Sequence, residues 1–488
     1  MTAPDRNPRR RCPASAADRE SPAPPDLASR PEHWCHRPPP VARGLPWLGV
    51  AHRISRDKFD FAPEIARRYG DLVRLPVPGK RAVYLITSAE LVGQVFVRRA
   101  GEHCKGAMLN AAMAPVPGTP IPVMEGIQWR RIRRLTTPFF SVAGLKAVLV
   151  TMDDVLDTHV DRLAFYAQGG TTVDMEQMVS HASIDVMLRT ILNRALPEKQ
   201  YRRIARHFRS ASEGAATRWA WFWLPAPLRY LLSFPKDARA TPLMALMYLL
   251  VRHTDTGDAG GDDLFAVLRR ATSDDGSTLT ERQLVAHMFT FVFAGFETTA
   301  AALAWTFALL AVHPEAMIKA QNEAASLGRT PRHEDVDRLP YLRACFDEAQ
   351  RMQGLPYYSR DSIADQVLGG YFVPAGSVLL CSPYAMQHDP RYWRQPELFR
   401  PERWFEDPIE RNAYLPFGIG ERRCIGANMA NVEGVLYLAK ALYRFTFRVP
   451  DDWRPQRHFH MSTSVRGGVP TTIGHHRKAT APSMKERL

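Results

Sequence analysis

One cysteine of this 488-residue chain stands where a reactive thiolate is expected. A glycine-containing loop, Leu415 to Gly426, brings Cys424 to the start of a segment whose apolar residues recur at helical spacing: Ile425, Met429, Val432, Val435, Leu436, Ala439 and Leu442. Free N–H groups and the dipole at a helix N-terminus stabilise a thiolate, and Arg422 and Arg423 add positive charge. The pattern predicts a lowered pKa for the Cys424 thiol, without indicating what the thiolate binds.

A polar cluster interrupts the long apolar stretch from Phe289 to Val312. Within it lie Gly295, Glu297, Thr298 and Thr299, and a glycine and two threonines weaken a helix. The stretch is long enough to span a membrane, but a central charge is costly in lipid. We therefore predict a buried helix that lines a cavity. The alternative is a local polar patch in a core helix, stabilised by threonines that bond to the preceding turn.

Two pairs of charged or aromatic residues lie one helical turn apart. Glu348 and Arg351 carry opposite charges at positions i and i+3 of one helix face. Taken alone, such a pair is a surface ion pair that contributes little to stability. Trp129 and Arg133 are spaced similarly, in a segment that is also consistent with a solvated basic face.

Together these segments resemble the cytochrome P450 family. The cysteine loop matches the family's haem-binding pattern, Phe-x-x-Gly-x-Arg-x-Cys-x-Gly, at Phe417, Gly420, Arg422, Cys424 and Gly426. Residues 294–299 match the family's oxygen-side helix pattern, and Glu348-x-x-Arg351 its Glu-x-x-Arg motif. The segment Pro401-Glu402-Arg403-Trp404 matches Pro-x-Arg-Phe with Trp404 in place of the usual Phe. The resemblance runs from about residue 44 to the end, in the family's order.

The resemblance implies a haem b whose iron is held by the Cys424 thiolate, which favours O–O cleavage. Phe417 is expected to pack beside the sulfur, while Gly420 and Gly426 allow sharp turns and close approach to the porphyrin. The haem propionates are expected to be held by Arg422, Trp129, Arg133 and Arg360.

The resemblance also assigns roles on the oxygen side and in the scaffold. Thr298 is expected to hydrogen-bond dioxygen, and Glu297 to deliver protons through water. Glu348, Arg351 and Arg403 are expected to form a buried network that fixes the loop before Cys424, so breaking it should be strongly destabilising.

The substrate pocket is expected to draw on three places, and its residues indicate an apolar substrate such as a terpenoid, polyketide, fatty acid or steroid. The family often has Pro three residues after the Glu-x-x-Arg arginine, where this chain has Gly354. The candidates are Met108, Leu109 and Val123 of the segment 105–125, Phe293 and Phe296 of the long apolar stretch, and Tyr357 with Tyr358.

The predicted fold is mainly α with a smaller β region, the cytochrome P450 fold in which a helical bundle surrounds a b-type haem. Residues 1–40, rich in Pro and Arg, are predicted to be a disordered tail, and residues 41–488 a single catalytic domain. Strands are expected at 72–75 and 82–86, and as a pair at 371–373 and 378–380. Residues 105–125 are predicted to be a long loop, and helices to dominate residues 128–327, with a break at 219–225.

Composition and charge limit the classes of binding partner and the cellular compartment that the sequence allows. The formal charge of +14 allows an acidic partner, nucleic acid or an anionic membrane face, although basic residues are spread along the chain. Without a recognised motif or basic stripe we predict no nucleic-acid binding. Cysteines without a regular framework indicate a reducing compartment, and no apolar stretch follows Arg9–Arg11, so export and a transmembrane anchor are not expected. The expectation is a cytoplasmic monomer.

The implied reaction is monooxygenation, in which one atom of O2 enters the substrate, in secondary metabolism. Electrons are expected from NAD(P)H through a separate reductase, with a ferredoxin or flavoprotein docking on the Cys424 side. Two other functions stay open, a haem-binding gas sensor or carrier and a peroxide-using or rearranging member of the same family. A nucleic-acid-binding protein is a third, disfavoured alternative.

Overall fold

The computed structural model describes residues 37–79, 81–193, 195–253, 264–271 and 278–476. Most of them are helical, as predicted. The α-helices are α1 (Ala51–Arg56), α2 (Phe61–Tyr69), α3 (Ala89–Gly93), α4 (Gly106–Met113), α5 (Gly126–Thr136), α6 (Val142–Gly169), α7 (Met175–Leu192), α8 (Glu198–Ala220), α9 (Ala226–His253), α10 (Leu264–Arg270), α11 (Glu281–Val312), α12 (Pro314–Ser326), α13 (Pro340–Gln353), α14 (Pro383–Gln387), α15 (Arg403–Glu406) and α16 (Ala427–Arg444). α8 and α9 flank the predicted break.

The strands form small sheets beside the helices. They are β1 (Leu72–Leu75), β2 (Val83–Ile86), β3 (His103–Cys104), β4 (Thr172–Asp174), β5 (Tyr358–Ser362), β6 (Gln366–Leu368), β7 (Tyr371–Val373), β8 (Val378–Cys381), β9 (Phe445–Arg448), β10 (Arg457–Phe459), β11 (Thr463–Val465) and β12 (Pro470–His475). A five-stranded sheet has the order β1-β2-β8-β5-β3, and a three-stranded sheet the order β4-β12-β9. β10 pairs with β11, and β6 with β7.

The predicted pairing of residues 371–373 with 378–380 is wrong. Both segments are strands, but β7 pairs antiparallel with β6, while β8 lies between β2 and β5. All four residues of β8 are buried. A strand buried in this way satisfies its backbone groups on both edges inside a larger sheet.

The predicted loop at residues 105–125 contains the helix α4. Its sequence, Gly-Ala-Met-Leu-Asn-Ala-Ala-Met, is rich in good helix formers, which the glycine and proline content of the wider segment obscured. The predicted tail, residues 1–40, falls mostly outside the described part of the chain. Residues 1–36 lie outside the described residues, but the Pro40 carbonyl already accepts a hydrogen bond from the Arg74 N–H at 2.8 Å. Although cysteine spacing predicts no disulfide framework, Cys104 is disulfide-bonded, and Cys345, Cys381 and Cys424 are free.

α11 is the central helix of the larger hydrophobic core and begins at a capping box formed by Thr280 and Gln283. It is long and apolar enough to cross a membrane, yet 78% of its most hydrophobic window is buried in the protein. A side chain at Gly295 would overlap the Met187 thioether, so glycine lets α7 pack closely against α11. This close packing fixes the helix that carries Thr298.

Candidate active site

A cavity of about 340 Å³ lies between α11 and the cysteine loop. Its walls are largely apolar. On the α11 side it is lined by Ala294, Gly295, Thr298, Thr299 and Ala302, and on the loop side by Phe417, Gly418, Cys424, Ile425 and Gly426. The structure therefore places the predicted thiol and the predicted hydroxyl on the same cavity.

Backbone contacts hold Cys424 at this cavity. The Cys424 N–H donates to the Phe417 carbonyl at 2.9 Å, which closes the loop upon itself. Gly420 has a φ of +74°, and a side chain there would overlap the Phe96 carbonyl. Only glycine suits such a position, because a Cβ is disfavoured at positive φ and has no room here.

The prediction of a lowered pKa at Cys424 is wrong for the protein alone. Burial raises the pKa of the Cys424 thiol, although the Gly426 N–H, Arg133 and Arg423 act in the opposite direction. α16 begins only at Ala427, so the thiol lies ahead of the helix N-terminus. The Cys424 thiol is exposed to the cavity, and a metal ion bound there would favour its thiolate form.

Three cations surround the same cavity, and sequence reasoning missed one of them, Lys105. Burial and the charge of Arg422 lower the pKa of Arg360 to about 10. Burial, followed by the charges of Arg360 and Arg422, also holds the pKa of Lys105 well below its usual value. Arg422 donates to the Met124 carbonyl at 2.9 Å and pairs with the Glu125 carboxylate. This concentration of half-buried positive charge suits an anionic ligand.

Trp129 and Arg133, expected at the propionates, do not line the cavity. The buried Trp129 ring lies 3.8 Å from the Arg422 guanidinium in a cation–π contact. Arg133 donates to the Arg423 carbonyl at 2.9 Å. Both side chains therefore contact the cysteine loop from outside the cavity lining.

Thr298 and Glu297 face different cavities. The Thr298 hydroxyl donates to the Ala294 carbonyl at 2.6 Å and lines the cavity with Cys424. Glu297 instead lines a second cavity, where it contacts Ser212, Ser462 and His460. Neighbouring residues of an α-helix point about 100° apart, so an acid next to an alcohol in sequence need not share its cavity. The expected acid–alcohol pair is thus separated in this structure.

Glu348 is the centre of a fully buried charged network. Its carboxylate accepts from Arg351 Nε and Nη2 and from Arg403 Nε, each at 2.9 Å. Trp404, the departure from the family pattern, adds an indole N–H at 3.2 Å from Glu348 Oε2. The remaining Arg403 donors bond to the carbonyls of Arg394, Gln395 and Leu398. The network therefore ties α13 to the segment that precedes the cysteine loop.

Of the predicted pocket residues, only Tyr358 lines the cavity that holds Cys424, and its hydroxyl donates to the Leu415 carbonyl at 2.9 Å. Phe296 lines the second cavity instead. The others belong to neither lining: Met108, Leu109, Val123, Phe293 and Tyr357. Tyr357 stacks on Trp219, and Phe293 on Phe208, so aromatic partners in the core hold both. The apolar lining that the sequence did not reveal includes Phe96, Phe140, Met187 and Phe291.

The site fits a haem better than a metal ion held by protein ligands alone. Within the described ranges, no group of three or more His, Cys, Asp or Glu side chains is placed to bind a metal ion. A metal at Cys424 would therefore bring most of its own ligands. An iron porphyrin supplies them, and its apolar faces and two carboxylates match the aromatic walls and the half-buried cations of the cavity.

Comparisons with known proteins agree with this geometry. The family model "Cytochrome P450" matches residues 38–472. The chain is 30% identical over 429 residues to cyclooctatin synthase of Streptomyces melanosporofaciens, covering 85% of this chain and 91% of that protein. It is also 30% identical over 417 residues to cyclooctat-9-en-7-ol 5-monooxygenase of the same organism, covering 83% and 88%. The crystal structure of the cytochrome P450DA heme domain superposes with a TM-score of 0.79 at 22% identity, covering 92% of this chain and 99% of that chain. The resemblance and the fold class inferred from the sequence are confirmed, and the chain belongs to the cytochrome P450 family as a monooxygenase.

Proposed function

We propose that this monooxygenase uses Cys424 as the axial ligand of a haem b and inserts one oxygen atom of O2 into an apolar substrate of the terpenoid class. The observation that carries the proposal is the shared cavity: the Cys424 thiol, the Thr298 hydroxyl and three half-buried cations face one space with apolar walls. When bound, the haem supplies oxygen activation at an iron to which the thiolate donates electron density.

The residues of the chain bind and orient this group. Arg360, Arg422 and Lys105 would hold its carboxylates, and these negative charges would favour the charged forms of the three side chains, whose pKa values burial lowers. Trp129 holds the Arg422 guanidinium from behind. Phe417 lines the same cavity as Cys424 and would pack against the bound group near the sulfur. Thr298 presents its hydroxyl on the opposite side of the cavity, where it would donate a hydrogen bond and pass a proton toward the bound group.

The terpenoid class rests on the cavity and on the relatives. Phe140, Met187 and Phe291 give the cavity apolar side chains on the α11 side, which favour a hydrocarbon skeleton. The name of one relative specifies an alkenol, cyclooctat-9-en-7-ol, as its substrate. A panel of cyclic terpene alcohols, fatty acids and steroids, titrated while the haem spin state is followed, tests the class. A response to fatty acids alone would contradict it.

Electrons come from NAD(P)H through a separate reductase and a ferredoxin or flavoprotein that docks near Cys424. Arg130, Arg134 and Arg423 are exposed there and offer a basic surface to an acidic partner. Turnover should fall as ionic strength rises, and turnover insensitive to salt would contradict this docking. The protein is further proposed to act as a cytoplasmic monomer in secondary metabolism, with size-exclusion chromatography as the test of its oligomeric state.

The thiolate assignment is tested by the absorption spectrum of the reduced protein exposed to carbon monoxide. We expect a strongly red-shifted Soret band that is lost in Cys424→Ala. Cys345→Ala is the matched control, because Cys345 is a free and fully buried cysteine that does not line the cavity. An unshifted band in folded wild-type protein, or a red-shifted band that survives in Cys424→Ala, would overturn the proposal.

A further inference from the structure

A second cavity, of about 640 Å³, lies against the other face of α11. Phe296, Glu297, Ala300 and Ala301 of α11 line it, whereas Thr298 does not. The rest of its wall is mostly polar and comes from α7, α8 and the β10–β11 hairpin. A polar cavity of this size can hold several water molecules.

Glu297 is held in this second cavity by three partners. Its Oε1 accepts from Ser212 Oγ at 2.7 Å and Ser462 Oγ at 3.0 Å, and lies 2.9 Å from His460 Nδ1. Its Oε2 is buried and has no hydrogen-bond partner among the residues that the structure describes. Ser462 lines both cavities and therefore lies where the two spaces approach each other. Glu297 is thus anchored through one oxygen only. It lies on the face of α11 that points away from the cavity lined by Thr298 and Cys424, so it does not contact that cavity directly.

His460 lies beside Glu297 in the wall of the second cavity. Its Nε2 lies 2.7 Å from Ser464 Oγ, so both ring nitrogens have polar partners while the side chain is 4% exposed. Burial lowers the pKa of His460, but the hydrogen bond and charge of Glu297 outweigh burial, and the pKa is raised. The other titratable groups that face the ring are Arg209 of α8, Glu176 of α7 and His458 of β10.

We propose that His460 positions Glu297 and supplies it with protons, so that each proton delivered toward Thr298 first passes through the His460 imidazole. This inference rests on the proposed function. The N–H bond at Nδ1 breaks as an O–H bond forms on Glu297, which leaves a neutral imidazole and a neutral carboxyl. Loss of both charges removes the ion pair that holds Glu297, and the carboxyl is free to turn past Ser462. Water in the second cavity returns a proton to the imidazole.

A histidine suits this task where an arginine would not. An arginine cannot give up its proton in a protein, so it would hold Glu297 permanently. Arg209 lines the same cavity, yet it pairs with Glu176 at 3.1 Å. The basic side chain that contacts Glu297 is therefore His460, and a histidine can release its proton under physiological conditions.

The first experiment follows the imidazole itself. Histidine ring signals are titrated by NMR in wild-type protein, and the His460 signal is assigned by its absence in His460→Gln. We expect a His460 pKa above the ordinary value of about 6.5 in wild-type protein, and a lower one in Glu297→Gln. A His460 pKa that is unaffected by Glu297→Gln would overturn the proposal, whatever the enzyme's activity.

The second experiment measures product formed per NAD(P)H consumed against pH. In wild-type enzyme this coupling should fall as the pH rises through the His460 pKa, because the proton-carrying form is the active one. His460→Gln should lose this pH dependence, slow product formation by about a hundredfold, the lower end for a positioned proton donor, and increase the solvent deuterium isotope effect. His458→Gln is the matched control: that neighbouring histidine has a pKa lowered to about 4 by burial and is neutral under these conditions.

The carbon monoxide spectrum separates the two proposals. If His460→Gln keeps the red-shifted band but shows the wild-type pH profile and isotope effect, the role of His460 is refuted and the haem–thiolate function stands. A wild-type protein without that band refutes the function instead. If His460→Gln does not fold, Ser464→Ala takes its place, and a wild-type pH profile in that variant together with an unchanged His460 pKa would overturn the proposal.

Discussion

Replacing Glu348 by Gln tests the buried network at its centre. The change keeps the shape of the side chain but removes its charge, and it turns one acceptor oxygen into a donor amide. Five donors converge on the carboxylate: Arg351 Nε and Nη2 and Arg403 Nε at 2.9 Å, the Arg400 N–H at 3.1 Å and Trp404 Nε1 at 3.2 Å. The side chains of Glu348, Arg351 and Arg403 are only 0%, 0% and 1% exposed, so solvent does not screen the loss.

The expected loss is large because two guanidinium groups stay buried without a counter-charge. Breaking a buried ion pair by removing one partner costs about 3–5 kcal/mol. With a denaturant slope of about 6 kcal/mol/M in guanidinium chloride, the unfolding midpoint falls by about 0.5–0.8 M. The Arg403 donors to the carbonyls of Arg394, Gln395 and Leu398 should loosen at the same time, so haem retention should fall too.

The assay is denaturant unfolding followed by far-ultraviolet circular dichroism, with the Soret band recorded in parallel. The matched control is Glu90→Gln, because Glu90 pairs with Arg98 on the surface, where both side chains are more than half exposed. We expect no measurable shift of the midpoint in the control. A Glu348→Gln midpoint equal to that of the control would refute the reasoning that burial makes this network essential.

Four further outcomes are expected. Thr298→Ala should release severalfold more peroxide per NAD(P)H. Thr306→Ala is the control, because Thr306 makes an equivalent bond to the carbonyl four residues earlier but does not line the cavity, and it should not change the leakage. Equal leakage would favour a gas sensor or carrier without turnover. Gly420→Ala should lower thermal stability and haem uptake more than Gly418→Ala. Both glycines have a positive φ, but only at Gly420 would an added Cβ also overlap a neighbour, the Phe96 carbonyl. Equal loss in the two variants would mean that the positive φ alone matters. Trp404→Phe should lower the free energy of unfolding, measured with denaturant, by only about 1 kcal/mol, because Glu348 keeps its other donors. An unchanged midpoint would show that the indole N–H contributes nothing to stability. The raised pKa of His460 means that its ion pair with Glu297 stabilises the fold fully below the ordinary histidine pKa, and that this contribution is lost as the pH rises through the raised value. His460→Gln should therefore flatten the fall in unfolding midpoint that begins above the ordinary histidine pKa of about 6.5.

Local patterns in the sequence were enough to predict the parts of the site that are continuous in the chain. The cysteine loop before α16, the apolar span of α11 and the Glu348–Arg351 turn all depend on spacing within a few residues. A matched motif therefore placed them on the correct elements. The helical fold class followed in the same way, from long segments with helical periodicity.

The residues that the sequence did not reveal depend on tertiary contacts. Lys105 has no pattern around it, and its place beside Arg360 follows from the packing of α4 against β5. The direction of the Glu297 side chain depends on Ser212 and His460, which are distant in sequence. The pairing of β8 with β2 likewise joins segments almost 300 residues apart, and the local pattern around residues 371–380 does not determine it.

The three-stranded sheet has a consequence for synthesis of the chain on the ribosome. Its central strand, β12, carries Thr472, whose hydroxyl meets that of Thr172 in β4 across 300 residues of sequence. At translation rates of about 5–20 residues per second, β4 waits about 15–60 s for its partner. During that time its edge is open to other strands, because unpaired backbone groups template pairing with any available chain. Slow codons between these segments, or a shortage of chaperones, should therefore reduce the yield of folded protein without any change in its final stability.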